Sequence, residues 1–292
     1  MAHDFDYQKA FSRNLGWLTP AEQQQLRTKR VAIAGMGAVG GLHLMTLARL
    51  GVSAFRVADF DSFEVHNFNR QVGASMSTVG RAKVEVMAEM ARDVNPEMDL
   101  KLFPQGIDNG NVASFLEGVD VYVDGLDFFA YDARQMVFAE CAVRGIPAVT
   151  AAPLGMGAAV LNFMPGSMSF DDYFGWTASM DDDEKALRFA LGVAPAGLHR
   201  AYLASPESLS FAKRRVPSTS MGCQIAAGMA ATEVLKISLR RGRVLVAPHG
   251  IHFDAYRGRA VRTWRPGGHR NPLQQVTMVF GRRYLAKLAA QD

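Results

Sequence analysis

Residues 31–41 read Val-Ala-Ile-Ala-Gly-Met-Gly-Ala-Val-Gly-Gly. The run Arg30–Ala34 has strand length and passes straight into glycines at 35, 37 and 40, the G-x-G-x-x-G spacing. Apolar residues then recur at helical intervals (Val39, Leu42, Met45, Leu47, Leu50) until Gly51. Strand, tight turn and helix in that order make the phosphate-binding turn of a parallel α/β sheet. Glycine permits a sharp turn and a close approach of backbone to an anion. The helix N-terminus offers free N–H groups and the positive end of its dipole. Asp59 lies 24 residues after Gly35, just past a second strand-like run, Ala54–Ala58. A carboxylate there accepts hydrogen bonds from ribose hydroxyls. Alone, these residues fit a nicotinamide-dependent oxidoreductase as well as any other nucleotide-binding protein.

Working outward, the pattern predicts helices over 78–94 and 133–143 and a helical fragment at 112–116. It predicts strands at Asp99–Phe103, 119–123 and 148–151. Such alternation implies an α/β, doubly wound (Rossmann-like), mostly parallel sheet covered on both faces. After Pro153 the pattern changes. A strand at 158–163 is followed by an irregular stretch, 166–218, with an acidic run at 181–184 before a short helix and a basic cluster at 213–215. A long small-residue helix (221–239), a strand pair (250–254 and Arg259–Trp264) and a terminal helix, Pro272–Ala289, complete the reading.

Of the 292 residues, 49% are hydrophobic and 21% charged, which excludes a mostly disordered chain and allows a core without disulfides. The two cysteines, Cys141 and Cys223, exclude a disulfide framework and a four-cysteine zinc site. The N-terminus has no apolar secretory core, and no apolar run reaches the roughly 20 residues of a membrane span. The expectation is a cytoplasmic protein without a membrane partner. Residues 236–292 hold twelve Lys/Arg against two acids, leaving −6 for the first 235 residues of a chain whose total is +4. A basic segment of this kind suits nucleic acid, an acidic protein or a phosphate ligand, or is a solvated Arg-rich surface. His249, His252 and His269 lack acidic or thiolate partners at ligand spacing, so no metal is expected there.

From Asp59 the chain reads DFDSFEVHNFNRQ and, after eight more residues, GRAKVE. Asn67, Asn69, Arg70, Gln71 and Lys83 thus gather immediately after the ribose position. A dehydrogenase has no use for this Arg and Lys. A triphosphate has: cations neutralise phosphoryl oxygens and stabilise charge on a departing pyrophosphate. Asp124 and Asp127 end a later strand, at the sheet edge where ligands bind, and a carboxylate facing polyphosphate holds Mg²⁺.

Together, Gly35–Gly40, Asp59, HNFNRQ, Lys83 and Asp127 resemble the ATP site of the ThiF/MoeB/HesA family, bacterial relatives of ubiquitin-activating (E1) enzymes. The resemblance extends from about residue 9 to 268, including FDAY at 253–256, and is strongest over 30–130. It implies adenylation of a carboxylate, typically the C-terminal glycine of a ubiquitin-like protein. It puts Gly35, Gly37, Ala38, Gly40 and Asp59 on the nucleotide, Asn67, Asn69, Arg70 and Lys83 toward the phosphates, and Mg²⁺ on Asp127. FSRN at 11–14 resembles the family's N-terminal segment, so Arg13 becomes an arginine finger reaching a partner's site across a homodimer.

Three departures stand out. The family's two C-x-x-C pairs are absent, so ATP and Mg²⁺ are expected and structural zinc is not. The stretch 175–218, where thioester-forming members carry a cysteine, has none. A glycine of the phosphate turn is replaced by Ala38. Adenylation needs no protein nucleophile. The resulting expectation is an ATP-dependent adenylyltransferase acting without an enzyme thioester. Its substrate is a ubiquitin-like or sulfur-carrier protein, tRNA or a small carboxylate; the alternatives are a non-catalytic E1-like scaffold or an NAD(P)-binding oxidoreductase. The expected division is 1–29, an N-terminal helical segment with the arginine finger; 30–155, the nucleotide-binding domain; 156–268, an E1-like part of antiparallel strands and helices with a crossover region; and 269–292, a basic C-terminal helix.

Overall fold

The computed structural model describes residues 4–177, 179–211 and 213–289. Eight strands form one sheet: β1 Arg30–Ala34, β2 Ala54–Ala58, β3 Asp99–Phe103, β4 Val121–Asp124, β5 Ala148–Leu154, β6 Gly157–Phe163, β7 His249–Asp254 and β8 Arg259–Trp264. Ten helices accompany them: α1 Tyr7–Ala10, α2 Pro20–Arg27, α3 Gly40–Leu50, α4 Lys83–Val94, α5 Val112–Phe115, α6 Tyr131–Arg144, α7 Phe170–Phe174, α8 Asp182–Val193, α9 Ser220–Leu239 and α10 Pro272–Ala289. The strand order is β3-β2-β1-β4-β5-β6-β7-β8. Strands β3 to β5 are parallel, and each strand from β6 on is antiparallel to its neighbours.

The period of two in β1 shows why both faces are covered. Val31 and Ile33 join a core with α3, α4 and α9. Ala32 and Ala34 join another with α5 and α6 and the aromatic residues of α7 and α8. Sequential strands run outward to β3 and then restart at β4, so the order reverses between β1 and β4, and ligands bind open α/β sheets at such a crevice. Ala34 pairs with both Ala58 and Asp124, bringing the ends of three strands to one edge.

Two regions differ from the sequence reading. The helix expected over 78–94 begins at Lys83. Before it, Thr78 Oγ1 donates to Gly73 O (2.6 Å), Gly80 has φ +83°, and 81–83 pair instead with 61–63: Phe63 N–H donates to Arg81 O and Lys83 N–H to Asp61 O. The stretch 166–218 holds the expected short helix after the acidic run (α8) and, beyond the expectation, α7 and two 3₁₀ turns, Leu198–Tyr202 and Pro206–Ser208. Helix α7 is too short for periodicity to reveal. It is fixed by the Ser169–Asp172 capping box and by aromatic packing of Phe170 on Phe138 and Trp176. The acidic run is helix chemistry: Asp181 caps α8, and Asp182, Asp183 and Glu184 occupy its first turn. Among the described residues no helix is long and apolar enough to cross a membrane.

Candidate active site

The glycine turn is built by contact. Gly35 has φ +88°, and a Cβ there would overlap the Gly125 carbonyl beyond β4; a Cβ on Gly40 would overlap Gly35's own carbonyl. These two glycines are required by packing. Gly37 is different: a Cβ there would meet nothing nearer than the Gln71 amide at 3.7 Å. Gly37 therefore leaves room for a methyl group, which would touch the Gln71 amide at ordinary van der Waals distance. The N–H groups of Gly37, Ala38 and Val39 find no acceptor among the described residues, at the start of an eleven-residue helix. Gln71, 7% exposed, lies beside Gly37 with a buried Oε1 that has no partner among the described residues. The unused N–H donors at a helix start fit a phosphate, while the orphaned Gln71 Oε1, an acceptor, calls for a donor instead. Ala38 packs against the apolar core beside α3.

Asp59 ties the turn to β2. Its Oδ2 accepts Met36 N–H (2.6 Å) and its Oδ1 accepts Asp61 N–H (2.8 Å), leaving lone pairs for a ribose. Burial raises its pKa, opposed by these two N–H groups and by the charge of Lys83. Lys83 is the first residue of α4, is 7% exposed, and donates to Asp61 Oδ2 at 2.9 Å. A cation at a helix N-terminus works against the dipole, so this buried ammonium depends on anions around it. Asp61 supplies one.

Arg70 donates from Nη1 to His66 O (3.0 Å) and to Asn69 Oδ1 (2.9 Å), and Asn69 Nδ2 donates to Ser218 O (3.1 Å). Asn67 is buried, with its Oδ1 taken by Glu64 N–H, so its side chain shapes the loop. Asp127 is exposed; Oδ2 accepts Phe129 N–H (2.9 Å). Its loop is held from below by buried Arg134, which donates to the carbonyls of Leu126, Asp127 and Phe128 and pairs with Asp124 at 2.9 Å. Thr150 Oγ1 also donates to Asp124, so Asp124 is structural.

The structure thus joins Lys83, Asp61, Asp59 and the glycine turn in one hydrogen-bonded chain. The Asp127 loop meets that turn through Gly125. Arg70, Lys83 and Asp127 make no direct contact with one another among the described residues. Arg13 is exposed on a 3₁₀ turn, Ser12–Asn14, and forms no ion pair among the described residues. Gln71 belongs to the cluster the sequence gathers, but the pairing of Asp61 with Lys83 and the part played by Arg134 do not appear in the sequence reading. Gln71 and Asp61 lay inside the quoted motif, whereas nothing local to Arg134 announces its role.

Both cysteines are buried, and burial raises each thiol's pKa. Among the described residues no three His, Cys, Asp or Glu side chains gather as a self-sufficient metal site. Asp127 alone fits Mg²⁺, which takes most of its ligands from phosphates and water.

Known proteins resemble the chain in sequence and shape. It is 33% identical over 150 residues to tRNA threonylcarbamoyladenosine dehydratase of Bacillus subtilis, covering 51% of this chain and 57% of that one. It is 28% identical over 143 residues to sulfur carrier protein ThiS adenylyltransferase of Escherichia coli, covering 49% and 56%. The chain spans about half the length of the curated relatives it matches. In fold it resembles E. coli MccB with MccA (TM-score 0.68, 19% identity, 93% of this chain and 75% of that one). It also resembles E. coli tRNA N6-threonylcarbamoyladenosine dehydratase, TcdA (TM-score 0.57, 21% identity, 80% and 95%). With a match that runs over residues 11–276, the chain belongs to the ThiF family.

Proposed function

We propose that the chain binds ATP with Mg²⁺ and adenylates a carboxylate. The observation that carries this reading is the chain Met36–Asp59–Asp61–Lys83, which sets a buried ammonium beside an open N–H cradle. A nicotinamide dinucleotide would need the cradle and Asp59 but not Lys83. The names of the relatives from Bacillus subtilis and E. coli support the reading.

The glycine turn receives phosphate on the N–H groups of 37–39, Asp59 takes the ribose hydroxyls, and Asn67 and Asn69 keep the phosphate loop in shape. A substrate carboxylate oxygen forms a bond to the α-phosphorus as the bond to the β-phosphate oxygen breaks, and pyrophosphate departs with the electron pair. Arg70 and Lys83 stabilise the charge that grows on it. Asp127 holds Mg²⁺, which neutralises phosphoryl oxygens when bound. Arg13 completes the site of a second copy, making the working form a cytoplasmic homodimer. With no cysteine in 175–218 and Cys223 buried, the acyl-adenylate passes to its acceptor without an enzyme thioester. Residues 30–155 serve the nucleotide and 156–268 the second substrate, which is a ubiquitin-like or sulfur-carrier protein, a tRNA nucleoside or a small carboxylate.

Calorimetric titration tests the reading. ATP binds and NAD(H) does not. Lys83→Ala and Arg70→Ala each lower ATP–pyrophosphate exchange by about 10²-fold or more. Gly37→Ala weakens ATP while leaving stability within about 0.5 kcal/mol, because its methyl meets only the Gln71 amide, at ordinary van der Waals distance. Selective nicotinamide binding, or exchange unchanged in both cation variants, defeats the proposal.

A further inference from the structure

The basic cluster at 213–215 has no part in the site described so far, yet its hairpin is seated on the loop that carries Asp127. Ser210 and Arg215 pair across that hairpin: Ser210 N–H donates to Arg215 O (2.9 Å) and Arg215 N–H to Ser210 O (2.8 Å). The Phe211 ring stacks on Phe128 at 5.8 Å, with the planes 28° apart, and meets Phe129 edge-on at 6.3 Å. Arg214 Nη2 donates to Phe129 O (2.8 Å), and its guanidinium lies over the Phe129 ring, 5.4 Å from the centroid. Phe129 N–H in turn donates to Asp127 Oδ2 (2.9 Å). Phe129 therefore links a guanidinium to the carboxylate of Asp127, through its carbonyl on one side and its N–H on the other.

The carbonyls of 126–129 all go to guanidinium groups. Arg134 takes the first three from inside the fold, and Arg214 takes the fourth from the exposed side. Arg214 has φ +48°, in the left-handed region that favours Gly or Asn. The other non-glycine residue there among the described ones, Arg240, ends helix α9, a usual place for that conformation. At 214 the two contacts with Phe129 offset the cost of the backbone. Asp182 lies 3.8 Å away, but both side chains of that pair are more than half exposed, where an ion pair contributes little. Four residues on, Ser218 O accepts Asn69 Nδ2, so a stretch of at most about 14 Å touches the metal loop at one end and the phosphate loop at the other.

We propose that Arg214 is a positioning residue for the metal: through Phe129 it fixes the Asp127 carboxylate that receives Mg²⁺, and Phe211 steadies the same loop. A group that orients a ligating carboxylate sets metal affinity without touching the metal. The metal's part rests on the adenylation reading; the hold on the loop does not.

Two measurements on the full chain test this. Calorimetric titration of ATP with and without Mg²⁺ reads the metal's share of binding, and amide hydrogen exchange reads residues 127–130 with no ligand added. Arg214→Gly leaves the left-handed backbone at ease and removes the side chain. It raises the Mg²⁺ concentration for half-maximal ATP binding roughly tenfold or more. ATP affinity without Mg²⁺, and ATP–pyrophosphate exchange at saturating Mg²⁺, stay within about twofold of wild type. The Phe129 amide exchanges about tenfold faster. Arg214→Asn, which also tolerates this backbone, behaves alike. Arg214→Lys keeps a donor for Phe129 O and restores most of both readouts, and Phe211→Ala shifts both in the direction of Arg214→Gly, but less. Arg215→Ala, in the same hairpin but with its side chain on Ser208 O, shifts neither. The proposal is overturned if Arg214→Gly needs no more Mg²⁺ than wild type, if it weakens ATP equally without Mg²⁺, or if Arg215→Ala has the same effect. If the wild-type chain does not bind ATP, the adenylation reading falls and the amide decides: faster exchange in Arg214→Gly but not in Arg215→Ala keeps Arg214 as holder of the loop, and unchanged exchange overturns it.

Discussion

The parallel and antiparallel halves of the sheet hold their polar groups by different means. Around β1, β2 and β4, main-chain groups take a large share beside the Arg134–Asp124 and Lys83–Asp61 pairs: Met36 and Asp61 N–H fix Asp59, and three carbonyls fix Arg134. Around β6 and β7, side-chain pairs lead, with main-chain groups added: Tyr202 with Asp254, which also accepts Arg257 N–H, and Asn162 Nδ2 donating to Glu233 Oε2 (2.9 Å) and to Leu245 O. Main-chain holding depends on backbone path, so it suits a site for phosphate and ribose, whose shape never varies. Side-chain holding changes with a single substitution and suits the half that meets whatever second substrate a given protein uses.

Three experiments probe this contrast. The largest effect is expected from Arg134→Leu. It strands buried Asp124 and frees three carbonyls, and should cost about 3–5 kcal/mol in urea denaturation; a loss under 1 kcal/mol would mean the Asp127 loop is held otherwise. Next is a pH effect in the same half. Burial pushes His43 down to about 4 from 6.5, against the opposing charge of Asp124, and neither ring nitrogen has a partner among the described residues. The unfolded chain protonates first as pH falls. Stability that is whole above pH 6.5 is therefore lost progressively toward pH 4, by roughly 3 kcal/mol. His43→Leu should flatten that slope, and an unaltered slope between pH 7 and 5 would place the acid sensitivity elsewhere. The smallest effect belongs to the antiparallel half. Tyr202→Phe removes one donor to buried Asp254 and the acceptor of Met156 N–H, for about 1–2 kcal/mol. A loss equal to that of Arg134→Leu would erase the difference between the halves.

Much of the parallel half was legible in the sequence because local rules agree there. Gly35 and Gly40 sit where the chain touches itself, and strand and helix periods alternate cleanly. The start of α4 was misplaced because Val79 and Ala82 continue a helical apolar spacing, while the pairing of 61–63 with 81–83 that overrides it is a tertiary fact. That same pairing puts Lys83 at the site, so the misread boundary and the missed role of Asp61 have one cause. In 166–218 the stabilising contacts run from Phe170 to Phe138 and from Trp176 to Tyr131, at separations no local pattern shows. Arg134 escaped notice because its ligands are carbonyls, and carbonyls have no sequence signature.

The junction of Gly35, Gly40 and Gly125 has a mechanical consequence. Three backbones meet there with no side chain between them, which leaves no compressible layer. The cradle and the acidic segment that follows Gly125 must travel as a single block, and any accommodation to a larger guest has to come from parts of the chain that do not pass through that weld.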